Sequence, residues 1–276
     1  GDTKHIALFP ANPEECFYMM AQAFDLAERF QTPTFLVTDL DIGMNDWMTR
    51  RLKWDDSYRP DRGKVLGAAE LAEIKKFGRY QDTGGGVPAR TLPGVGGKGA
   101  YFTRGSGHTL QATYTEDSDE YRAVMERLKL KLETAAEAVP EPDIDAKSGT
   151  IGIVSIGGCH AAVQEALHVL RAQNVAADYM RVKGFPFGKK VRAFLATHRR
   201  IFVVEQNRDA QLRSLLGIET GTSFDKMIPV LDYGGLPLTA GFVVNEISRQ
   251  LKLLQLSGTP GESAGVKVGG AMRGVE

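Results

Sequence analysis

The stretch TIGIVSIGGCHAAVQEALHVLRAQN, residues 150–174, decides the fold of this chain. It begins as an apolar β-strand, turns at Gly157 and Gly158, and continues with the apolar spacing of a helix. The chain after it alternates strands and helices, and AADYMRVKGF (176–185) reads as one of the strands. This alternation predicts an α/β domain over residues 150–256, an open parallel sheet with helices on both faces.

A strand–helix–strand unit is also predicted near the beginning of the sequence. HIALFPA (5–11) and TPTFLVTDL (32–40) are short apolar or β-branched runs. Between them, Asn12 can cap a helix and Pro13 suits its first turn. Apolar residues recur there at helical spacing, namely Phe17, Met20, Phe24 and Ala27. The pattern is that of the crossover unit of a parallel sheet, over residues 1–43.

The segment between these two units lacks a sustained period. From Gly43 to about Glu116, glycines, prolines, aromatic and charged residues are mixed. We predict a linker over 44–149 with helices at about 68–77 and 117–138, and a flexible Gly- and Ser-rich tail at 257–276. An irregular connection of this length is usually functional or packs on a partner.

Composition excludes several classes of function. Basic and acidic residues balance at 34 each, which argues against nucleic acid as the main partner but leaves a local basic patch open. Cys16 and Cys159 cannot form an iron–sulfur or zinc site, and no HExxH or similar histidine pattern is present. A Ser-hydrolase G-x-S-x-G turn is also absent. No apolar run reaches the length of a membrane span, so we expect a cytoplasmic protein with no membrane partner.

The glycine-rich run PGVGGKGAYFTRGSGHT (93–109) matches G-x-G-x-x-G in spacing alone. A dinucleotide fingerprint requires a strand before it and a helix after it, and neither pattern is present here. We therefore expect a loop that lies against another surface. His108, beside Arg104 in this loop, could be functional or structural.

Two further sets of residues lie where strands end. Gly157 and Gly158 could present helix amides to an anion, or could simply permit a tight turn. Glu205 and Asn207 lie at the end of a later strand, as Asp39 lies at the end of an earlier one. Ligands collect at such strand ends, although each of these side chains could equally cap the following helix.

Three motifs in order resemble one family. They are RTLPGVGGKGAYFTRGSGHT (90–109), SIGGCHAAVQEAL (155–167) and FVVEQNRDAQL (202–212). Together they are similar to the alpha subunit of 2-oxoacid:ferredoxin oxidoreductases, most of all the 2-oxoglutarate type. Residues 1–43 resemble the end of that family's pyrimidine-binding domain. The resemblance covers nearly the whole chain and implies the C-terminal portion of an alpha subunit, with a partial thiamine-diphosphate-type pyrimidine domain, the linker, and a domain like the transketolase C-terminal domain.

The resemblance implies a thiamine-diphosphate enzyme that decarboxylates a 2-oxoacid, passes electrons to ferredoxin and transfers the acyl group to coenzyme A. The family's beta subunit holds thiamine diphosphate and Mg with a GDG…NN-type motif, and this chain has neither GDG nor Asn-Asn. The cofactor and an iron–sulfur cluster are therefore expected in a partner chain, in a hetero-oligomer such as (αβ)2. We expect this chain to carry no catalytic residue and to be inactive alone.

The resemblance also suggests which residues approach the active site or the beta subunit: Arg90, Tyr101, Arg104 and His108. An Arg would suit a dicarboxylate substrate because its planar fork binds carboxylates bidentately. A different function stays open from the residues alone. Gly157 and Gly158 before a helix would also fit a non-enzymatic module that binds a nucleotide, coenzyme A or another anion.

Overall fold

The computed structural model describes residues 4–147 and 149–257, with side chains up to residue 254. The strands are β1 (Ile6–Leu8), β2 (Thr34–Leu36), β3 (Asp143–Asp145), β4 (Ile151–Ser155), β5 (Ala177–Arg181), β6 (Gly184–Phe185), β7 (Arg200–Glu205) and β8 (Met227–Leu231). The α-helices are α1 (Pro13–Phe30), α2 (Leu40–Met44), α3 (Ala68–Glu73), α4 (Ser118–Ala135), α5 (Cys159–Ala172), α6 (Lys189–Thr197), α7 (Gln211–Thr220) and α8 (Ala240–Ser257). The predicted tail, apart from Ser257 at the end of α8, lies outside the described residues.

The larger sheet has the strand order β3-β5-β4-β7-β8. β5, β4, β7 and β8 are parallel, and β3 adds an antiparallel edge. Helices α5 and α8 pack on one face, where Val163, Leu170 and Ile247 meet the sheet. Helices α6 and α7 cover the other face with Phe194 and Leu216. This arrangement confirms the α/β class predicted from residues 150–256.

The smaller sheet has the order β2-β1-β6 and joins the two halves of the chain. β1 and β2 are parallel and connected by α1, whereas β6 comes from the second half and pairs antiparallel with β1. The prediction of one strand over 176–185 was therefore wrong. After Arg181 the chain leaves the larger sheet, and the carbonyl of Lys183 accepts a hydrogen bond from the amide of Phe9 (2.9 Å).

Helix α1 begins as predicted but buries a different face. The Asn12 side chain accepts a hydrogen bond from the Glu15 amide (2.9 Å), with Pro13 in the first turn. The buried side chains are Met19, Ala23, Leu26 and Phe30. By contrast, Met20 is 43% exposed and Phe24 68% exposed. The stripe of Phe17, Met20 and Phe24 therefore lies outside the core of this chain.

The long connection is mostly irregular. α3 and a 3-10 turn at Gly97–Gly99 interrupt it. Isolated backbone bridges pair Val65 with Arg90, Asp82 with Pro88, and His108 with Tyr114. α4 ends against the smaller sheet, because Ala135 joins the cluster of Ile6 and Leu8. Since β6 crosses from the second half into the smaller sheet, the domain limits at 43, 149 and 256 stay predictions. Among the described residues, none of the helices has the length and apolar content to cross a bilayer.

One buried cation holds the two sheets together. Arg181, at the end of β5, is 2% exposed. Its Nη1 and Nη2 donate to Glu15 Oε2 (2.6 Å) and Oε1 (2.7 Å) on α1. Its Nε donates to Asp143 Oδ2 (3.0 Å) on β3. A buried guanidinium must be paired and hydrogen-bonded, so the position of α1 is fixed relative to the larger sheet.

Both carboxyl groups around Arg181 are held in their charged form. Burial alone would raise the pKa of Glu15, but hydrogen bonds from Arg181 and from the Ala11 amide outweigh it, so the pKa falls below its usual value. The pKa of Asp143 is lowered in the same way, with burial opposing and Arg181 prevailing. A carboxyl with a lowered folded-state pKa stabilises the fold at neutral pH, and that stability is lost as the pH falls through the folded-state pKa.

The variant Glu15→Gln tests this junction. It leaves part of a buried guanidinium without its charged acceptor, so we expect a loss of about 2 kcal/mol of unfolding free energy at pH 7. The loss should shrink as the pH falls below the usual carboxyl pKa of 4.5 and through the lowered pKa of Glu15 in the folded state, because the wild-type carboxyl is then itself protonated. Urea unfolding from pH 3 to 7 measures both effects, with Glu14→Gln in the same helical turn as the control. A loss that does not vary with pH would contradict the ion pair as its source.

Candidate functional site

The larger sheet has one topological switch point, between β4 and β7. From β4 the chain proceeds through α5 to β5 on one side, whereas β7 and β8 lie on the other side. In open parallel sheets, ligands bind outside the carboxyl ends of the strands at such a point. The loop after β4 contains Gly157 and Gly158. Glu205 is the last residue of β7, and Asn207 lies in the loop that follows it. The structure therefore brings together four of the residues singled out in the sequence.

The amide of Gly158 is bound to a carboxylate of the same chain. It donates to Asp39 Oδ2 at 2.7 Å, while Asp39 Oδ1 accepts from the amide of Ile42 at 3.0 Å. Gly157 adopts a left-handed conformation (φ +56°), and a Cβ on Gly158 would lie 2.4 Å from Asp39 Oδ2. Asp39 thus caps α2 and occupies the N-terminus of α5 simultaneously. An external anion could reach the Gly158 amide only by displacing Asp39.

Glu205 and Asn207 are occupied by the following helix. Glu205 is 2% exposed, and its carboxylate accepts from the amides of Leu212 (2.6 Å) and Arg213 (3.0 Å). Asn207 donates to Glu205 Oε2 (2.8 Å) and accepts from the amide of Gln211 (3.1 Å). Of the two roles considered for these residues, the structure shows helix capping.

Cys159 lies between the two loops but is unreactive as a thiol. Its Sγ donates to Gln206 Oε1 at 3.6 Å, so it bridges the loop after β4 to the loop after β7. Burial raises the pKa of the Cys159 thiol to about 12, and the nearby charges of Asp39 and Glu205 act in the same direction. The thiolate, which is the form that binds metals or attacks substrates, is therefore scarce at neutral pH.

A buried chain of hydroxyl groups and a ring lies beside the switch point. The Ser155 hydroxyl is within 2.8 Å of the Tyr179 hydroxyl, which is 3.0 Å from His160 Nδ1. Burial and the positive charge of Arg181 lower the pKa of His160, which keeps the imidazole neutral at pH 7. Ser155 is completely buried, so this chain can orient the ring but offers no exposed nucleophile.

The four loop residues predicted from the resemblance are not brought to one place. Arg90 forms an ion pair with Glu28 on α1, and its Nη2 donates to the Arg62 carbonyl at 2.9 Å. That side chain holds the linker against α1 and is not directed into the loop of 93–109. Its contacts are those of a structural residue.

Tyr101 and His108 both contact the short segment 77–80. The Tyr101 ring lies 6.0 Å from Phe77 and 5.2 Å from the guanidinium of Arg79. His108 stacks on Tyr80 with ring centroids 3.7 Å apart. Arg104, which lies between Tyr101 and His108 in sequence, is exposed. Only the 3-10 turn Gly97–Gly99 has regular structure in the described loop, which agrees with the rejection of a dinucleotide fingerprint.

The residues of this chain do not fit the cofactors that the resemblance implies. Among residues 4–147 and 149–257, no three His, Cys, Asp or Glu side chains are placed to hold a metal ion. Cys159 is buried with a raised pKa, and burial also raises the pKa of Cys16. We therefore assign no Mg, thiamine diphosphate or iron–sulfur ligand here and derive no step through them.

Sequence reasoning missed the partners of these residues. Asp39 was noted as a strand-end residue, but its bond to Gly158 spans 119 positions. Arg181 was not singled out, and Glu15 was considered only as an acidic residue at the start of α1, so their ion pair was not foreseen. The run Gly84–Gly86 was an available signal of a tight loop that packs closely on another element. All three glycines have positive φ, and Gly86 lies directly on α4.

Curated relatives support the family resemblance. No protein-family model matches the sequence. The chain is 28% identical over 259 residues to the alpha subunit of 2-oxoacid:ferredoxin oxidoreductase 2 of Aeropyrum pernix, covering 91% of this chain and 39% of the relative. It is 24% identical to the 2-oxoglutarate synthase subunit KorA of Methanothermobacter thermautotrophicus, covering 83% and 60%. The chain thus spans less than two thirds of the length of these relatives.

A solved structure supports the fold. The chain superposes on the 2-oxoglutarate:ferredoxin oxidoreductase of Magnetococcus marinus with a TM-score of 0.79, covering 91% of this chain and 43% of that one at 21% identity. That structure contains 2-oxoglutarate, coenzyme A and succinyl-CoA. The similarity to 2-oxoacid:ferredoxin oxidoreductase alpha subunits, expected from the three motifs, is confirmed.

The contact between Asp39 and Gly158 can be tested by a double-mutant cycle. Gly158 has ordinary helical dihedrals (φ −63°), so Gly158→Ala is opposed only by the clash with Asp39. We expect it to cost about 1–3 kcal/mol in the wild-type background and much less in Asp39→Ala. Urea unfolding measures each variant, with Gly43→Ala, which has open space around it, as the control. Equal losses in both backgrounds would contradict the contact.

Proposed function

We propose that this chain is a portion of the alpha subunit of a thiamine-diphosphate-dependent 2-oxoacid:ferredoxin oxidoreductase and that it supplies scaffold and subunit interface. The observation that carries the proposal is the similarity to such alpha subunits along 91% of the chain, in sequence and in fold. The site geometry is in keeping with it, since Asp39 and Glu205 fill the switch point where an independent ligand site would be expected.

Exposed apolar side chains support the interface role. The stripe of Met20 and Phe24 on α1 is solvent-exposed, and Leu40 and Met44 on α2 are 74% and 81% exposed. Among the described residues, β2 is an edge strand that pairs on one side with β1, and its Phe35 is half exposed. Exposed apolar side chains and an unpaired strand edge are typical of surfaces that another polypeptide covers.

The reaction we propose converts a 2-oxoacid, namely 2-oxoglutarate, and coenzyme A into the acyl-CoA thioester and CO2. Two electrons pass to ferredoxin. The bound molecules of the Magnetococcus structure and the name of the Methanothermobacter relative support this substrate. The beta subunit would hold thiamine diphosphate with Mg, and a partner chain the iron–sulfur cluster. We place the complex in the cytoplasm as a hetero-oligomer such as (αβ)2.

The loop of 93–109 is the part of this chain that we propose lies at the active-site mouth or against the beta subunit. Arg104 is exposed and its guanidinium suits a carboxylate. Tyr101 and His108, on the two sides of Arg104 in sequence, hold the loop against 77–80 through ring contacts. Arg90 is left out of this set because Glu28 and the Arg62 carbonyl bind it.

The alternative, a non-enzymatic module that binds a nucleotide or anion at Gly157 and Gly158, has no observation in its favour. The Gly158 amide is already bonded to Asp39. Calorimetry with NAD, ATP and coenzyme A on the purified chain separates the two functions. Tight binding by the chain alone that becomes tighter in Asp39→Ala, where the Gly158 amide is free, supports the alternative, whereas binding that requires a beta-type partner supports the oxidoreductase.

Substitutions in the loop test its role in the assembled enzyme. In the complex purified with its partner chains, we expect Arg104→Ala and His108→Ala to lower 2-oxoglutarate-dependent viologen reduction about tenfold, the effect of losing one charge-assisted hydrogen bond. Arg122→Ala and His168→Ala remove exposed side chains of the same types elsewhere and serve as controls. Unchanged kinetics for both loop variants in an intact complex would remove the loop from the site.

The exposed stripe on α1 gives a separate test of the interface. We expect Phe24→Lys to reduce co-purification with a beta-type partner, since it introduces a charge into apolar contact surface. The stability of the isolated chain should be unchanged, because Phe24 is outside its core. Leu236→Lys, at a position that is 77% exposed in a distant loop, is the control. Undiminished co-purification of Phe24→Lys would exclude this stripe from the interface.

A further inference from the structure

Three basic side chains converge where the linker packs on α4. Arg127 and Lys131 lie one turn apart on α4, and Arg79 comes from the segment before the loop 82–87. Burial lowers the pKa of Lys131 to about 8, and the positive charges of Arg127 and Arg79 contribute to that shift. The pKa of Arg127 is lowered by burial as well, with a further contribution from Arg79. The three cations are therefore close enough to repel one another.

Several of their donor groups have no acceptor. Among residues 4–147 and 149–257, the buried Nε and Nη1 of Arg79 and the buried Nε of Arg127 find no hydrogen-bond acceptor. Arg127 Nη1 donates to the Gly86 carbonyl (2.9 Å), and Lys131 Nζ has only a long contact with the Gln31 carbonyl (3.4 Å). Buried N–H groups without an acceptor are rare and costly, so their concentration here indicates that an acceptor is missing.

The charge of the cluster is also unbalanced. Asp82 is the carboxylate whose charge reaches Arg127. Within the described ranges 4–147 and 149–257, none of the three cations forms an ion pair with a carboxylate. The cluster therefore carries an excess of positive charge, which suits an anion such as a phosphate monoester.

The surrounding structure holds the cations in place. The guanidinium of Arg79 lies 5.1 Å from the Tyr80 ring centroid and 5.2 Å from that of Tyr101, so two aromatic faces fix its plane. The loop 82–87 lies on the backbone of α4 so closely that a Cβ on Gly86 would be 2.4 Å from the backbone nitrogen of Lys131. Lys131 is only 6% exposed. Fixed donors in a water-poor setting bind an anion more strongly than mobile surface lysines do.

We propose that Arg79, Arg127 and Lys131 form a binding site for a phosphate monoester, in which the three side chains supply the donors and the positive charge that neutralise the phosphate dianion. None of these three residues belongs to the switch point of the larger sheet. Arg79 lies in the segment 77–80, which Tyr101 and His108 contact through their rings.

Binding is measured on the full chain with inorganic phosphate and with glycerol 3-phosphate as probes. We expect calorimetry to give saturable binding, and the thermal midpoint to rise with phosphate above its value in sodium chloride of equal ionic strength. Succinate, a dicarboxylate of the same charge, distinguishes a phosphate site from a carboxylate site. No saturable phosphate binding, or succinate binding as tightly as phosphate, would overturn the proposal.

Variants locate the site. Lys131→Met keeps most of the aliphatic stem but removes one charge, and we expect it to weaken phosphate binding about tenfold. Arg79→Met should have a similar effect and is a second variant should the first fold poorly, as checked by circular dichroism. Lys129→Met, on the exposed side of α4, is the matched control and should bind like the wild type. Undiminished binding by a folded Lys131→Met or Arg79→Met protein would place the phosphate elsewhere.

Discussion

The guanidinium of Arg181 is the constraint on which both sheets depend. It is buried at the end of β5 and satisfied by Glu15 of α1 and Asp143 of β3, so three elements distant in sequence must meet at one point. Leaving a buried cation unpaired would cost several kcal/mol, which makes the relative position of the two sheets part of the folded state. Two further contacts also join the first half of the chain to the second, namely the pairing of β6 with β1 and the capping of α5 by Asp39.

These junctions explain why the switch point is closed. An open parallel sheet offers helix N-termini to ligands at the carboxyl ends of its strands. Here Asp39 and Glu205 take those amides, and Cys159 connects the two loops with a protonated thiol. The same chemistry that binds substrates in other α/β proteins fastens one half of this chain to the other. This is why the proposed activity is assigned to an assembly and not to the described residues alone.

Sequence patterns predicted what local interactions determine. The cap at Asn12 and the alternating strands and helices after Thr150 depend on neighbouring residues, and the structure contains both. The exposed residues Met20 and Phe24 follow the same period as a buried stripe would, because periodicity shows that a face is apolar but not what covers it. Likewise, the split of 176–185 into β5 and β6 depends on β1, and the bond between Asp39 and Gly158 on a contact 119 positions away. Contacts between residues so far apart leave no local pattern in the sequence, so a single sequence does not predict them.

The bond from Gly158 to Asp39 limits how this protein can be divided or recombined. A fragment that begins near Thr150 would retain the larger sheet but would expose the α5 N-terminus and deprive Arg181 of Glu15. A chimera that joins the second half of this chain to the first half of a distant relative would need acidic side chains at the positions of Glu15 and Asp39, to meet Arg181 and the Gly158 amide. The two halves are therefore expected to be inherited and exchanged as one unit, and acidic residues at positions 15 and 39 should vary together with Arg181 and Gly158.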